Sequence, residues 1–281
     1  MQIIREEAEL RDAIAALRAD SGPVALVPTM GALHDGHLAL VEEAKRRAVH
    51  VVASIFVNPT QFGAGEDLAR YPRREGSDAK MLDAAGVAIL WAPSVETMYP
   101  NGPEVTVKAG PAATGLDGDS RPGHFDGVAT VVARLFDQVR PDVALFGEKD
   151  YQQLLVIRQM VAAEGLTVEI VSVPTQRDAD GVALSSRNLY LTEEERAAAR
   201  ALPRALGEAA QAIVGGMAPS KAIDRAKARL AVAGFGPVDY IALRDAETLE
   251  PVRRLARPAR LLAAAHLGRT RLIDNLPVEP A

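Results

Sequence analysis

The sequence predicts an α/β fold in which a parallel sheet is flanked by helices, followed by a smaller C-terminal α+β domain. Short apolar and β-branched runs alternate with amphipathic segments over most of the chain, as in βαβ units. Near Leu191 this alternation stops and alanine-rich helical patterns begin. A chain of 281 residues is long enough for two domains.

The expected strands of the first domain are nearly continuous apolar runs, which is typical of parallel strands covered by helices on both faces. They are VALVP from Val24, HVVASIFV from His50, VAILWA from Val87, DVALF from Asp142 and LTVEIVSV from Leu166. Helical patterns separate these runs at residues 37–49, 77–86 and 126–140, and from about Asp150. Residues 58–71 lack periodicity and contain Gly63 and Gly65, which indicates a long loop of the kind that often forms a functional lid.

The C-terminal part begins with a capping box. In LTEEERAAARAL, Thr192 is the expected N-cap and Glu195 follows three residues later, which predicts the start of a long helix. We therefore expect domains at 1–188 and 189–281. A second helix at 219–234 precedes VDYIAL, ARLLAAAHL and TRLIDN, which favour a helix and a small antiparallel sheet.

Composition excludes several classes of function. The formal net charge of −5 and the pI near 5.6 provide no broad positive field, so we expect no nucleic-acid partner. The absence of cysteine excludes disulfides, thiolate nucleophiles and cysteine-ligated metals, and fits a cytoplasmic protein. No segment has the roughly 20 apolar residues that span a bilayer, and the N-terminus lacks a signal-like core, so no membrane partner is expected.

The turn HDGH contains two of the five histidines and joins a strand to a helix. Gly36 allows a close backbone approach, and His37 is expected in the first turn of the helix. Helix N-termini bind anions, and two imidazoles there can bond phosphate oxygens that gain charge as pyrophosphate leaves. Two alternatives remain open: His34 and His37 are ordinary cap residues, or they bind zinc, although no third ligand lies nearby in the sequence.

Two further segments place polar groups where a phosphate could bind. In DVALFGEKDYQQL, Lys149 could neutralise phosphate and Asp150 could accept ribose hydroxyls at the carboxyl edge of a parallel sheet. ALSSRNLYL combines two hydroxyls with Arg187 in a short loop suited to clamping a polyphosphate. Taken singly, the first segment could be a helix start with a solvated lysine, and the second could be a set of capping serines.

Together, the motifs resemble one family. PTMGALHDGH, FVNPTQF, YPR, SRPGHFDGVATVV, FGEKDYQQL, LSSRN and RLIDN closely resemble the pantothenate synthetase (pantoate–β-alanine ligase) family, in family order and over nearly the whole chain. HDGH is similar to the HxGH signature of the nucleotidylyltransferase superfamily. The resemblance implies a Rossmann-like N-terminal domain, a smaller C-terminal domain and a homodimer.

The resemblance also implies the reaction. Pantoate and ATP form an enzyme-bound, noncovalent pantoyl adenylate with release of pyrophosphate, and the amine of β-alanine then attacks the acyl carbon, which releases pantothenate and AMP. ATP is a co-substrate, and Mg²⁺ is expected because ATP chemistry normally uses it.

Site residues are carried over from the matching motifs. His37 is implied as the proton donor and His34 as a phosphate partner. The implied catalytic residues are His34, His37, Lys149, Ser185 and Arg187. The implied ATP-binding residues are Met30, Gly31, Ala32, Leu33, His34, Asp35, Gly36, His37, Gly147, Glu148, Lys149, Asp150, Gln176, Leu184, Ser185, Ser186 and Arg187.

Amides are suited to the second substrate, because they bond hydroxyl and carboxylate groups without adding charge. Gln61 and Gln153 are implied to hold pantoate, with Asn58 in the same loop as Gln61 and Gln61 also near the β-alanine position. Asp78 is a candidate magnesium ligand, although a surface acid is an equal alternative.

The chain departs from the family pattern at two positions. Leu184 replaces a common methionine, and Gln176 stands where a small apolar residue is usual; neither change removes a catalytic group. Tyr71, Arg121 and His124 lie in matching motifs without an assigned role.

Two other functions remain open from the sequence. Another HxGH nucleotidylyltransferase would release pyrophosphate without joining an amine, and a nucleotide-sensing module would bind ATP without turnover.

Overall fold

A computed structural model describes residues 1–19 and 22–280. The chain forms two compact units. Unit 1 comprises Met1–Ala113, Arg121–Glu148 and Gln153–Pro174, and unit 2 comprises Thr114–Ser120, Lys149–Gln152 and the chain from Thr175 onward. Segment 175–188 thus clusters with the C-terminal residues. The domain boundary that the sequence predicts between residues 188 and 189 stays a prediction.

Unit 1 contains a parallel sheet, as the apolar runs predict. In the described residues its strands are β1 Gln2–Ile4, β2 Val24–Thr29, β3 His50–Ile55, β4 Ile89–Trp91, β5 Val143–Gly147 and β6 Glu169–Val173. Their order is β1-β4-β3-β2-β5-β6, and every pairing is parallel. The chain order reverses between β2 and β5, and ligands bind at the carboxyl ends of strands at such a switch point.

The helices expected at 37–49, 77–86, 126–140, from about Asp150 and at 219–234 are present within about two residues of those positions, whereas the first, fourth and fifth helices were not predicted. In chain order they are α1 Glu7–Ala19, α2 Asp35–Arg47, α3 Glu75–Ala84, α4 Val95–Met98, α5 Asp117–Ser120, α6 His124–Val139, α7 Tyr151–Ala163, α8 Glu193–Ala198, α9 Ala201–Val214 and α10 Pro219–Val232. The apolar faces of α2 and α3 pack on the sheet through Leu40, Val41 and Leu82, beside the strand residues Val27 and Val51. This core supports the turn between β2 and α2.

Unit 2 contains the expected antiparallel sheet. Its strands are β7 Phe235–Asp245, β8 Ala259–Leu267 and β9 Thr270–Val278, in that spatial order. Leu202, Leu206 and Ile213 of α9 pack with Leu230 of α10 and Leu261 of β8. The fold class predicted from the sequence is therefore confirmed.

The single long helix expected from Thr192 is wrong, because the chain forms α8 and α9 with a break at Ala199–Arg200. Pro203 explains the break. It has no N–H to donate to the carbonyl of Ala199, and its ring would collide with that carbonyl in a continuous helix. The capping box itself is confirmed, since Glu195 N donates to Thr192 Oγ1 (3.2 Å) and Thr192 N donates to Glu195 Oε2 (3.0 Å).

In the part of the chain that the structure describes, no helix has both the length and the apolar character to cross a membrane.

Candidate active site

The two histidines of HDGH form a capping box at the start of α2. His34 is the N-cap, and its Nδ1 accepts a hydrogen bond from Gly36 N at 3.1 Å. His34 N donates in return to His37 Nδ1 at 3.3 Å. The ring centroids lie 4.1 Å apart with the planes tilted by 39°. Both histidines therefore cap the start of α2, as one of the two alternatives from the sequence proposes.

These bonds also determine the tautomers. A neutral imidazole has one nitrogen that accepts and one that carries hydrogen. Because Nδ1 accepts a backbone N–H in both His34 and His37, Nε2 carries the proton in each neutral ring. The helix start therefore has two imidazole N–H donors beside backbone N–H groups and the positive end of the α2 dipole. An anion such as a phosphate fits this arrangement.

Zinc binding fits the pair less well. The Nδ1 atoms of His34 and His37 are already used as acceptors. Across residues 1–19 and 22–280, no group of three or more His, Cys, Asp or Glu side chains is placed to hold a metal ion.

The turn before the histidines has an unusual backbone. Gly31 and Ala32 have φ of +81° and +50°, so two successive residues adopt the left-handed region. A Cβ at Gly31 would meet Ile55 Cγ2 at 3.1 Å and Asp78 Oδ2 at 3.2 Å. Glycine is required there because it tolerates this φ and adds no side chain against these neighbours.

Asp78 stabilises this turn from α3. Its Oδ2 accepts from Ala32 N at 2.8 Å, and its Oδ1 accepts from Leu33 N at 3.0 Å. The side chain is buried, with 2% of its surface exposed. A buried carboxylate with both oxygens bonded to backbone N–H groups holds the turn that contains Met30–His37. A carboxylate that binds magnesium directs its oxygens at the ion. Both oxygens of Asp78 are directed at backbone N–H groups instead, so these contacts do not fit a magnesium ligand.

Asn58 and Gln61 form a buried amide pair after β3. Asn58 Nδ2 donates to Gln61 Oε1 (3.0 Å) and to the carbonyl of Gly127 (3.2 Å), while Asn58 Oδ1 accepts from Tyr99 Oη (2.8 Å). Gln61 Nε2 lies 3.2 Å from Met30 Sδ. Gln61 therefore lies next to the β2–α2 turn, and Asn58 fixes the orientation of its amide.

The residues that the sequence left unassigned near Gln61 have clear contacts. Arg121 NH1 donates to His124 Nε2 (3.0 Å), so His124 Nδ1 carries hydrogen and donates to the carbonyl of Gln61 (2.7 Å). Arg121 also forms a bidentate pair with Glu66 at 2.8 and 2.6 Å. Burial raises the pKa of Glu66, but the hydrogen bonds and charge of Arg121 outweigh it and hold that pKa below its usual value.

Gly127 is a residue that sequence reasoning missed. A Cβ there would lie 2.2 Å from the carbonyl oxygen of Thr60 and 2.8 Å from Gln61 N. Only glycine lets α6 pack this closely against the segment that contains Gln61. The motif SRPGHFDGVATVV includes this glycine, but its pattern does not show which segment packs on it.

Gly147 is the last residue of β5, the strand that pairs with β2, and Glu148 follows it; both residues belong to unit 1. Lys149 and Asp150 complete a short 3₁₀ turn and belong to unit 2. Lys149 Nζ lies 3.7 Å from Asp150 Oδ1, and the Lys149 side chain is 18% exposed. Gln153 lies in the first turn of α7 and is half-buried.

The segment with the two serines forms a hairpin followed by a 3₁₀ turn in unit 2. Leu184 N donates to the carbonyl of Gln176 at 2.9 Å. Ser185 caps the 3₁₀ turn Ser186–Tyr190 by accepting from Arg187 N at 3.3 Å. The capping interpretation of Ser185 thus holds locally, while its hydroxyl hydrogen can still donate to a ligand because an acceptor role does not use it.

Within unit 1 the structure brings together the Met30–His37 turn, Asp78, Asn58 and Gln61. Unit 2 contains Lys149, Asp150, Gln176 and the loop from Leu184 to Arg187. The roles of all these residues remain predictions.

Comparison with known proteins identifies the family. The model of the pantoate-beta-alanine ligase family matches residues 2–277. A pantothenate synthetase of Rhizorhabdus wittichii is 63% identical over 281 residues, with the whole of both chains covered. One from Sphingopyxis alaskensis is 56% identical over 278 residues, covering 99% of this chain and all of the relative.

Solved structures agree. A pantothenate synthetase from Thermus thermophilus is similar with a TM-score of 0.93 and 50% identity over the full length of both chains. A pantoate-beta-alanine ligase from Francisella tularensis, solved in complex with beta-gamma ATP and beta-alanine, has a TM-score of 0.83 and 32% identity, covering 98% of this chain and 97% of that one. The chain therefore belongs to the pantoate-beta-alanine ligase family.

Proposed function

We propose that this ATP-dependent ligase joins pantoate to β-alanine through a noncovalent pantoyl adenylate. Family membership supports the overall reaction. The observation that carries the first step is the histidine capping box, since it puts the ring N–H at Nε2 in both His34 and His37 at a helix start. A carboxylate is a poor electrophile, and AMP is a good leaving group once attached to it.

The first step forms one bond and breaks one. The carboxylate oxygen of pantoate attacks the α-phosphorus of ATP, and the bond from that phosphorus to the β-phosphate oxygen breaks. The leaving pyrophosphate gains negative charge. His37 Nε2–H donates a hydrogen bond to the pyrophosphate oxygen that gains this charge, and His34 Nε2–H donates one to a neighbouring phosphate oxygen. Donors placed where charge develops stabilise the transition state.

Lys149, Ser185 and Arg187 complete the proposed phosphate contacts. Lys149 adds a positive charge, Ser185 a hydroxyl donor and Arg187 a planar set of donors that matches phosphate oxygens. The remaining proposed ATP contacts are Met30, Gly31, Ala32, Leu33, Asp35, Gly36, Gly147, Glu148, Asp150, Gln176, Leu184 and Ser186.

Pantoate is assigned to Gln61 and Gln153. The amide of Gln61 is already oriented by Asn58 and Met30, so little side-chain entropy is lost on binding. In the second step the β-alanine amine attacks the acyl carbon, the bond to the AMP oxygen breaks, and the nitrogen loses one proton to solvent, so that pantothenate and AMP leave. The proposed contribution of Asn58 is to orient Gln61 as well as to border the substrate.

Magnesium, the homodimer and the cytoplasmic location stay predictions. The contacts of Asp78 do not fit a magnesium ligand, so no step here uses the ion. Light scattering at several protein concentrations tests the homodimer, and a mass of one chain at all of them would contradict it.

The central test is rapid mixing with ATP, magnesium and pantoate in the absence of β-alanine. We expect a pyrophosphate burst of about one per active site, because an adenylate that is retained and shielded from water stops after one turnover. Adding β-alanine should then release AMP and pantothenate together. The matched control omits pantoate and should give no burst.

Each alternative predicts another result. A different nucleotidylyltransferase would form pyrophosphate without requiring pantoate, and a nucleotide-sensing module would bind ATP without forming AMP. A pantoyl group attached covalently to the protein would contradict the noncovalent intermediate.

A further inference from the structure

The motif RLIDN has no role in the reaction proposed above, yet it contains two buried polar residues. Asp274 and Asn275 lie in β9, and each is 3% exposed. Buried polar side chains are costly unless they are hydrogen-bonded, so their partners indicate why they are present.

The side-chain amide of Asn275 joins two segments of unit 2. Its Oδ1 accepts from Arg260 Nε at 2.7 Å, and its Nδ2 donates to the backbone carbonyl of Lys149 at 2.9 Å. A guanidinium only donates, so the atom that faces Arg260 must be the oxygen. The amino group of Asn275 is therefore directed at Lys149.

Arg260 is itself held in place, which makes Asn275 a rigid support. It projects from β8, next to β9, and its guanidinium carbon lies 4.1 Å from the ring centroid of Tyr151. A stacked guanidinium with a short hydrogen bond loses little further entropy when it orients Asn275. The donor position of Asn275 is thus determined by strand pairing and stacking.

Asp274 supports a second segment. It forms a bidentate pair with Arg177 at 2.8 and 2.7 Å, and Arg177 also donates to the carbonyl of Gly181 at 3.0 Å. Arg177 directly follows Gln176 in the hairpin that leads to Leu184. The dipeptide Asp274–Asn275 thus connects β9 to two segments that contain proposed ATP-binding residues.

We propose that Asn275 is a positioning residue that acts on catalysis through Lys149, and this inference rests on the proposed role of Lys149 in adenylation. A hydrogen bond to the Lys149 carbonyl fixes the backbone from which the lysine side chain extends. Small displacements of a charged group lower its stabilisation of a transition state, since the group no longer lies where charge develops.

The substitution Asn275→Asp tests this directly. It is isosteric and keeps an oxygen acceptor for Arg260, but it replaces the donor to Lys149 with an oxygen that cannot donate. We expect the single-turnover rate of pantoate-dependent pyrophosphate formation to fall about tenfold. Thermal unfolding of the full-length protein checks that the variant is folded; if it is not, Asn275→Ser takes its place, because its shorter side chain cannot span to Lys149.

A double-mutant cycle separates positioning from a general structural effect. In the Lys149→Ala background the ammonium is absent while the backbone carbonyl remains, so Asn275→Asp should lower the remaining rate less than about twofold. The matched control is Asp245→Asn, a buried residue of the same unit that bonds Glu247 N and Thr248 N. The fold-change in adenylation rate caused by Asp245→Asn should be the same in the native and the Lys149→Ala backgrounds.

The outcomes are distinguishable. A large loss for Asn275→Asp in the native background with little loss in the Lys149→Ala background supports the inference. Equal losses in both backgrounds overturn it while leaving the role of Lys149 intact. A Lys149→Ala variant with native adenylation overturns the role proposed for Lys149 and this inference with it.

Discussion

The helices α2 and α8 both begin with capping boxes, and the two boxes differ in chemistry. At α8, Thr192 and Glu195 exchange hydrogen bonds of 3.2 and 3.0 Å. At α2, His34 accepts from Gly36 N at 3.1 Å and donates its own N–H to His37 at 3.3 Å. Threonine and glutamate are ordinary residues for this motif, so capping alone does not require imidazole.

The two boxes differ in the atoms that the cap itself does not use. An ionised glutamate only accepts hydrogen bonds, whereas each imidazole that accepts at Nδ1 has an N–H at Nε2. The α2 box also follows the left-handed turn at Gly31 and Ala32, which Asp78 holds. The histidines therefore satisfy the helix start and also supply donors suited to an anion.

The largest expected effect is that of His37→Gln, which keeps an oxygen acceptor for the capping bond but removes the imidazole. We expect adenylation to slow by about 10²-fold or more, the scale for loss of a proton donor or a transition-state hydrogen bond. Single-turnover pyrophosphate release measures it. The matched change Glu195→Gln in the other box should leave the rate at the native level; a native rate for His37→Gln would remove the distinction between the boxes.

A smaller effect is expected from Asp78→Asn. One of the backbone donors at Ala32 and Leu33 would face an amide N–H instead of an oxygen, and an unsatisfied buried donor costs about 1–3 kcal/mol. The free energy of unfolding, measured in urea, should fall by this amount.

Magnesium titration provides the control for that variant. If Asp78 anchors the turn, the magnesium concentration that gives half-maximal adenylation should stay the same in Asp78→Asn. A large increase in that concentration with unchanged stability would favour the metal-ligand role and contradict the anchor role.

The substitution His34→Thr converts part of the α2 box into the α8 type. Threonine is a good N-cap, so we expect little change in stability, but one phosphate donor is lost and adenylation should fall about tenfold. Chemical unfolding and single-turnover rates on the same sample separate the two effects. A loss of stability without a loss of rate would mean that His34 is only a cap.

The smallest effect on the reaction is expected from Thr192→Ala. Removal of an N-cap costs about 0.5–2 kcal/mol, because a backbone N–H at the helix start loses its acceptor. Thermal unfolding should show this loss, Thr192→Ser should restore most of it, and the adenylation rate should not change. A reduced rate in a folded Thr192→Ala variant would show that the α8 box also contributes to the site.

Most elements of the fold, but not all of them, can be predicted from the sequence. Continuous apolar runs such as VALVP and HVVASIFV indicate buried parallel strands because both of their faces are covered. The strand β1 has no such signal, since Gln2–Ile4 is too short to show a period and two of its three residues are exposed. The alanine-rich pattern continues through the break between α8 and α9, but Pro203 is a signal in the sequence that predicts such a break.

The amino-acid sequence alone specifies the fold class, the motif order that resembles the family, and the residue types available for phosphate and pantoate. These features can be predicted because strand hydrophobicity, helix-start residues and motif spacing depend on residues that are close together in the sequence. The pairing of each donor with its acceptor is visible only in the folded chain. Asp78 reaches the N–H groups of Ala32 and Leu33, Gly127 packs on Thr60, and Asn275 bonds the carbonyl of Lys149. These pairs are far apart in the chain, and a backbone N–H or carbonyl is present at nearly every position, so its partner has no signature in the sequence.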